Sequence, residues 1–258
     1  MSGPQVYRVT AVLDEPVDAD HPIHLDGLLA SVWARRHGIE SYPEVAAARD
    51  VHRRGDPNRV QHAHIPVHLV QARGVAVRVC SAWFWAGDAT QVPAWFTRRR
   101  DPDDVEALQA PFTPGAGPFR DVMQRRVRRA VGSVSWLGCG PPTQRGARVE
   151  PARKQVERDL PMLDSIGSVR RQGAGRVASW EVECVPDASP LACWVDAEGR
   201  AIRYLPVEWC THIDGPVVRG AVRAPYFMRD AQRSVVEIGA RVQLHADVLA
   251  ELERVCGS

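Results

Sequence analysis

The chain has 258 residues, 45% of them hydrophobic and 25% charged, with a formal net charge of +2. That apolar content offsets the entropy of ordering a core, which excludes disorder as the dominant state and allows one large domain or two smaller ones. No run of ~18 uncharged apolar residues occurs, and Met1 to Arg8 lacks an apolar stretch, so neither a membrane span nor a signal peptide is expected.

Residues 6–13 alternate and are β-branched, which predicts a strand ended by Asp14-Glu15-Pro16. A helix should begin near His24 to Asp26, because Leu25, Leu28, Leu29, Val32 and Trp33 fall on one face. His37-Gly38 would close it. Residues 41–61 read as a surface excursion with a short helix near 44–49. Strands follow over 64–85, with 74–85 too β-branched and aromatic for a helix interior. Five prolines between 91 and 119 predict an extended insertion rather than a regular element. Residues 122–137 alternate loosely, as one long strand would, and 138–148 are rich in turns. A helix over 151–163 carries proline in its first turn. A glycine-punctuated basic loop over 165–176 then leads into a clean alternating strand over 177–184.

This order predicts an α+β fold, a ferredoxin-like (RRM-like) βαββαβ core over residues 1–184 with a large insertion at about 91–150. Residues 185–258 form a C-terminal extension with short strands near 193–195, 201–205 and 217–222 and a helix over 245–255. It is either a small appended domain or an addition to the sheet.

Charge is unevenly placed. Residues 120–176 carry thirteen basic and five acidic side chains, a local +8, and 32 of the 33 basic residues of the chain are arginine. Base composition of the gene explains the arginine bias, yet guanidinium forks also grip phosphate and stack on bases. A polyanion partner and a merely solvated face both fit such a stretch.

Two arginine groups stand out. The loop Arg170-Arg171-Gln172-Gly173-Ala174-Gly175-Arg176 combines two glycines with three arginines, which suits a phosphodiester chain passing close to backbone N–H groups. A tight helix-to-strand turn is the alternative. The loop follows a helix and opens a strand, the reverse of a dinucleotide fingerprint. The second group is Arg120, Arg125, Arg126, Arg128 and Arg129, which would form either a nucleic-acid-binding arm or a charge-protected edge strand.

Weaker constellations are His62-Ala63-His64 with His68, for a metal or a general base, and Cys184, Cys193, Cys210 and His212 for zinc. Their spacings fit no known zinc ribbon. The six cysteines form no CxxC pair and read as reduced thiols in the cytoplasm. Trp83-Phe84-Trp85 would put two tryptophans on one sheet face, for the core or for base stacking.

Three of these segments resemble one family. Pro22-Ile23-His24-Leu25-Asp26-Gly27-Leu28-Leu29-Ala30 resembles the first helix of the RAMP superfamily of CRISPR proteins. Residues 165–182, with Ile166-Gly167, the loop glycines and Ser179-Trp180-Glu181-Val182, resemble that superfamily's glycine-rich loop and following strand, closest to the Cas-five-type subunit of type IV effectors. His64-Ile65-Pro66-Val67 matches the middle region weakly. The resemblance implies a non-catalytic, cytoplasmic RNA-binding subunit without cofactor or metal. It would grip the 5′ handle of the crRNA and cap a filament of backbone subunits. A large subunit would be a partner too, and target DNA and a helicase would follow through the complex, with no membrane. RNA contact is implied for Arg170, Arg171, Gln172, Gly173, Gly175 and Arg176. The alternative is a metal-independent endoribonuclease using His24, His62 or His64.

Overall fold

A computed structural model describes residues 5–17, 22–37, 65–85, 90–98, 122–141, 150–167, 174–224 and 232–257. Its centre is strand β1 (Gln5–Leu13), whose alternating residues are buried on one face as Tyr7, Val9 and Ala11. Further along the chain come helix α1 (Leu25–Arg36), the hairpin β2 (Leu69–Ala72) and β3 (Val75–Arg78), then β4 (Thr90–Arg98), β5 (Val122–Ala130) and β6 (Ser133–Gly140). Helix α2 (Ala152–Asp159) continues into one 3-10 turn over Leu160–Met162 before β7 (Val177–Cys184). β1 pairs antiparallel with β6 on one side and β7 on the other, so that Val9 faces both Trp136 and Val182. Both edges of β1 are therefore hydrogen-bonded.

One face of this sheet is covered by the helices. Leu25, Leu28, Leu29 and Val32 of α1 join Ala152, Val156 and Leu160 of the second helix over Tyr7, Val9, Val134 and Trp136. The helical spacing of these residues is what lays both helices on the sheet. Arg35 and Arg36 sit in the last turn of α1, where they complement the helix dipole. The buried indole of Trp136 and the half-buried one of Trp180 keep a partner: Trp136 Nε1 donates to the Ile23 carbonyl at 2.9 Å and Trp180 Nε1 to that of Leu163 at 3.0 Å.

The other face carries a second core at one end. Val6 and Cys139 point into it, beside Val70, Val77 and Val79 of the β2–β3 region. The rest comes from the tail: β8 (Leu205–Pro206), β9 (Cys210–Asp214), β10 (Val217–Gly220), β11 (Arg233–Val236), β12 (Arg241–Leu244) and helix α3 (Ala246–Gly257). These strands form a three-stranded sheet in the order β10-β11-β8 and a β9–β12 pair. The extension is thus neither a continuation of the central sheet nor free of it. Trp194 and Trp209 are fully buried in the shared core and donate to the carbonyls of Arg78 and Ala72, each at 2.9 Å.

Arg203 joins the two cores. Its guanidinium is fully buried and donates to the carbonyls of Arg78 at 2.6 Å, Cys80 at 2.8 Å and Val222 at 2.6 Å. The Cys80 thiol donates to the buried Asp26 carboxylate at 3.4 Å and accepts from Arg203 at 3.3 Å.

Those carbonyl bonds explain one departure from the sequence expectation. The strand expected over 74–85 ends at Arg78, because Arg203 and Trp194 draw the Arg78 and Cys80 carbonyls out of the ladder. Residues 79–84 still run beside β6, with Ser81 N donating to the Leu137 carbonyl and Phe84 exchanging both bonds with Ser135. There the Ser81 hydroxyl, not a carbonyl, accepts from Leu137 N at 2.8 Å. The single strand expected over 122–137 is two, split where the Gly132 carbonyl accepts from Leu13 N. The proline-rich insertion contains a regular strand, β4, whose Pro93 lies opposite Val127 in a two-stranded ribbon. Among the described residues no third strand pairs with this ribbon, and proline is tolerated on such an edge. In the tail, the strand expected near 193–195 is reduced to a Val195–Ala201 bridge after a 3-10 turn over Pro190–Cys193, and the one expected over 201–205 begins only at Leu205. The short helix expected near 44–49 lies outside the described residues.

Replacing Arg203 should be severe. Arg203→Ala leaves three buried carbonyls without their donor, so urea unfolding should show a loss of about 3–5 kcal/mol. Arg203→Lys should recover little of it, because an ammonium lacks the planar fork that spans the three carbonyls.

Candidate nucleic-acid interface

The glycine loop is a closed excursion with a well-tied base. Ile166 N donates to the Gly175 carbonyl at 2.9 Å, Val177 N to that of Asp164 at 2.8 Å, and Ser165 bridges to Arg176. The base is also sewn to the end of β1, since Gly175 N donates to the Pro16 carbonyl and Asp14 N to the Arg176 carbonyl, both at 3.0 Å. Ala174 and Gly175 are buried, whereas the Arg176 side chain is largely exposed and lies 3.5 Å from the Asp14 carboxylate. Arg170, Arg171, Gln172 and Gly173 lie outside the described residues.

Gly175 has a reason to be glycine that involves no ligand. Its φ is +65°, and a Cβ there would stand 2.1 Å from the Ile166 carbonyl oxygen. The close backbone approach expected of this glycine is made to the chain itself.

The second arginine group lies on β5, apart from Arg120, which lies outside the described residues. The β4–β5 ribbon places Arg125 opposite Trp95, Arg126 opposite Ala94, Arg128 opposite Val92 and Arg129 opposite Gln91. Its register is in line with that of residues 80–84 against β6, and the β4–β5 ribbon is called the arm below. Arg128 is half-buried; the side chains of Arg125, Arg126 and Arg129 lie outside what is described.

The fold brings the roots of arm and loop together. Leu13 N donates to the carbonyl of Gly132, at the foot of the arm, at 2.9 Å. The next residue, Asp14, bonds Arg176 at the foot of the loop. Between them in sequence, residues 150–159, which contain α2, carry three basic and three acidic side chains. Arg153 pairs with Glu157 at 2.7 Å, Arg158 with Glu150 and with Asp159 at 3.0 Å, and Arg36 also reaches Asp159 at 2.7 Å. Such exposed pairs add little stability, but they leave the excess positive charge of 120–176 to the arm, the loop and the segments between.

The uncovered part of the sheet face differs in kind. It presents Arg8, Thr10, Ser135, Ser179, Glu181 and Glu183, with Arg8 paired to Glu183 at 3.2 Å and Thr10 to Ser135 at 3.0 Å. Among the described residues that surface has no excess positive charge, and it carries one exposed ring, Phe84, which pairs directly with Ser135. Trp83 and Trp85 meet edge to face at 5.4 Å and pack half-buried against the helix-side core. Phe84 is the exposed aromatic of that stretch.

The histidines separate. His24 is buried, and desolvation, followed by the Arg203 charge, lowers its pKa to about 3. A neutral ring sealed in the core does not reach a 2′-hydroxyl in solvent. His62 and His64 lie outside the described residues. His68 meets Cys139 and Cys256, a grouping that sequence spacing did not suggest. The cysteine set considered for zinc is not assembled among the described residues: Cys184 accepts from Gln5 Nε2 at 2.8 Å, and Cys210 donates to the Pro206 carbonyl at 3.7 Å. No helix among the described residues is long and apolar enough to cross a membrane.

No protein-family model matches the chain, and a search of curated proteins returns no match.

Gly175→Ala should lower the unfolding free energy by about 1–3 kcal/mol, because a positive φ and a clash with a carbonyl combine. Chemical denaturation measures this. A change within about 0.5 kcal/mol, as at an ordinary surface site, would show that the loop base is not packed as described.

Proposed function

We propose that the chain is a non-catalytic guide-RNA-binding subunit of a type IV CRISPR ribonucleoprotein, built on a ferredoxin-like core. The observation that carries the reading is the common root of the two arginine-rich segments. β1 ends on Leu13 and Asp14, which bond the foot of the arm and the foot of the loop in turn. A phosphodiester chain passing that end of the sheet would meet guanidinium groups from both.

The strand arrangement supports the fold. Counting residues 79–84 as the second strand of a βαββαβ unit, the order across the sheet is fourth, first, third, second, with α1 and α2 on one face. That is the order a ferredoxin-like unit requires. The resemblance to the Cas-five-type subunit then supplies the ligand class, the crRNA 5′ handle, and a terminal place on a filament of backbone subunits beside a large subunit. Within the loop we assign RNA contact to Arg170, Arg171, Gln172, Gly173 and Arg176. Gly175 supports them by closing the loop base. On the arm we assign it to Arg125, Arg126, Arg128 and Arg129.

The reading predicts a counterion signature. Anisotropy titrations with repeat-derived RNA at several salt concentrations should give a log–log slope of roughly −0.7 per phosphate contacted. Neutralising Arg126 and Arg128 together, or Arg170 and Arg171 together, should flatten that slope. Each arginine lost should weaken binding by roughly 1–3 kcal/mol. A slope unchanged in both variants, or repeat cleavage by the purified chain, would overturn the proposal.

A further inference from the structure

Away from the basic surface, three metal-ligating side chains from distant parts of the sequence meet at one end of the second core. Cys139 is on β6, His68 immediately precedes β2, and Cys256 is in the last turn of α3. The His68 ring nitrogens and the two sulfurs offer one ligand atom each, all within 4.8 Å of one another. A tetrahedral ion bound at ordinary Zn–S and Zn–N lengths needs ligands about 3.5–3.8 Å apart, so only a small inward movement is required.

The frame around the three is fixed. His68 N donates to the Cys139 carbonyl at 2.8 Å, and its own carbonyl accepts from Val79 N at 2.9 Å. Helix α3 packs through Val248, Leu252 and Cys256, four residues apart on one face. Its first turn is tied to the β2–β3 turn by an Arg73–Asp247 pair at 3.1 Å. Cys256 is therefore held against β6 by the helix that carries it.

The decisive detail is the imidazole. The ring hydrogen-bonds the Gly140 backbone, while Nε2 is buried without a partner among the described residues. A buried acceptor left in this way is costly, and a ring oriented by a backbone bond through its other nitrogen is how metal-binding histidines are held.

We infer that His68, Cys139 and Cys256 form a binding site for a borderline-soft divalent metal ion, zinc above all, through Nε2 and two thiolate sulfurs. Nitrogen and sulfur donors of this kind select zinc over magnesium or calcium. Binding releases the two thiol protons and leaves every oxidation state unchanged. Three protein ligands leave a fourth position for water or another donor. The ion would fasten the C-terminal helix to the central sheet. This inference is independent of the RNA reading.

The test uses the full chain, expressed with zinc and freed of loose metal by buffer exchange. Emission spectroscopy should find about one zinc per chain in the wild type. Cobalt exchanged for zinc should give a thiolate charge-transfer band. Cys256→Ser and His68→Gln should each lose the metal and the band, whereas Cys210→Ser, outside the cluster, should keep both. Thermal melts identify which variants fold, and a folded His68→Gln suffices if Cys256→Ser does not. Chelation should lower the melting temperature of the wild type and not of His68→Gln. A folded wild type with neither zinc nor a cobalt band would overturn the inference. So would metal retained in His68→Gln, or a Cys139–Cys256 disulfide in the protein as purified.

Discussion

The pairing of β1 along both of its edges is the constraint on which the rest depends. Strand β1 lies between β6 and β7, and its two ends serve different structures. Its beginning is covered on the second face by the tail core, where Val6 packs and Val185 N donates to the Val6 carbonyl at 2.9 Å. Its end is uncovered and ties the feet of the arm and the loop through Leu13 and Asp14. A one-residue slip of this strand would exchange Tyr7, Val9 and Ala11 for Arg8, Thr10 and Val12 beneath the helices. It would also separate the two arginine-rich segments.

A second constraint is polar. Arg203 places a full charge among buried carbonyls and the Cys80 thiol, which itself bonds Asp26, and close enough to His24 to act on it. Buried ionic groups of this kind add little net stability, but they penalise any arrangement that leaves them unmatched. Here the matching groups come from α1, from residues 78–80 and from the tail, so the network specifies how the C-terminal extension seats on the core. The same charge adds to desolvation in keeping His24 neutral. The residue that looked most available for acid–base chemistry in the helix motif is thus part of the interior.

Much of the fold was legible where periodicity is strong. The alternation of 6–13 and 177–184, the helical spacing from Leu25 to Trp33 and the apolar face of 151–163 all correspond to elements at those places. Misreadings occurred where side chains or distant backbone compete for hydrogen bonds. Arg203 and Trp194 end β3 early, and Leu13 divides the long strand at Gly132, neither of which local sequence encodes. The ribbon strand β4 was obscured by proline, which marks a loop in most settings and is harmless on a free edge. At the candidate site, composition exposed the arginines but not their common root, which depends on the register of β1. The glycine at 175 was visible, while its partner, the Ile166 carbonyl, is a tertiary contact. The helix expected over 245–255 runs on to Gly257, and that added length places Cys256 on one face with Val248 and Leu252 and brings it to His68.

The central claim is that the arm and the loop hold one RNA together. Photo-cross-linking to a uniformly substituted repeat RNA, followed by mass spectrometry of the linked peptides, tests it most directly. The account predicts adducts within residues 122–130 and within 168–176 on the same RNA, and none on the open sheet face around Arg8, Glu181 and Glu183. Adducts confined to that face, or to one basic segment with the other unmarked, would contradict it.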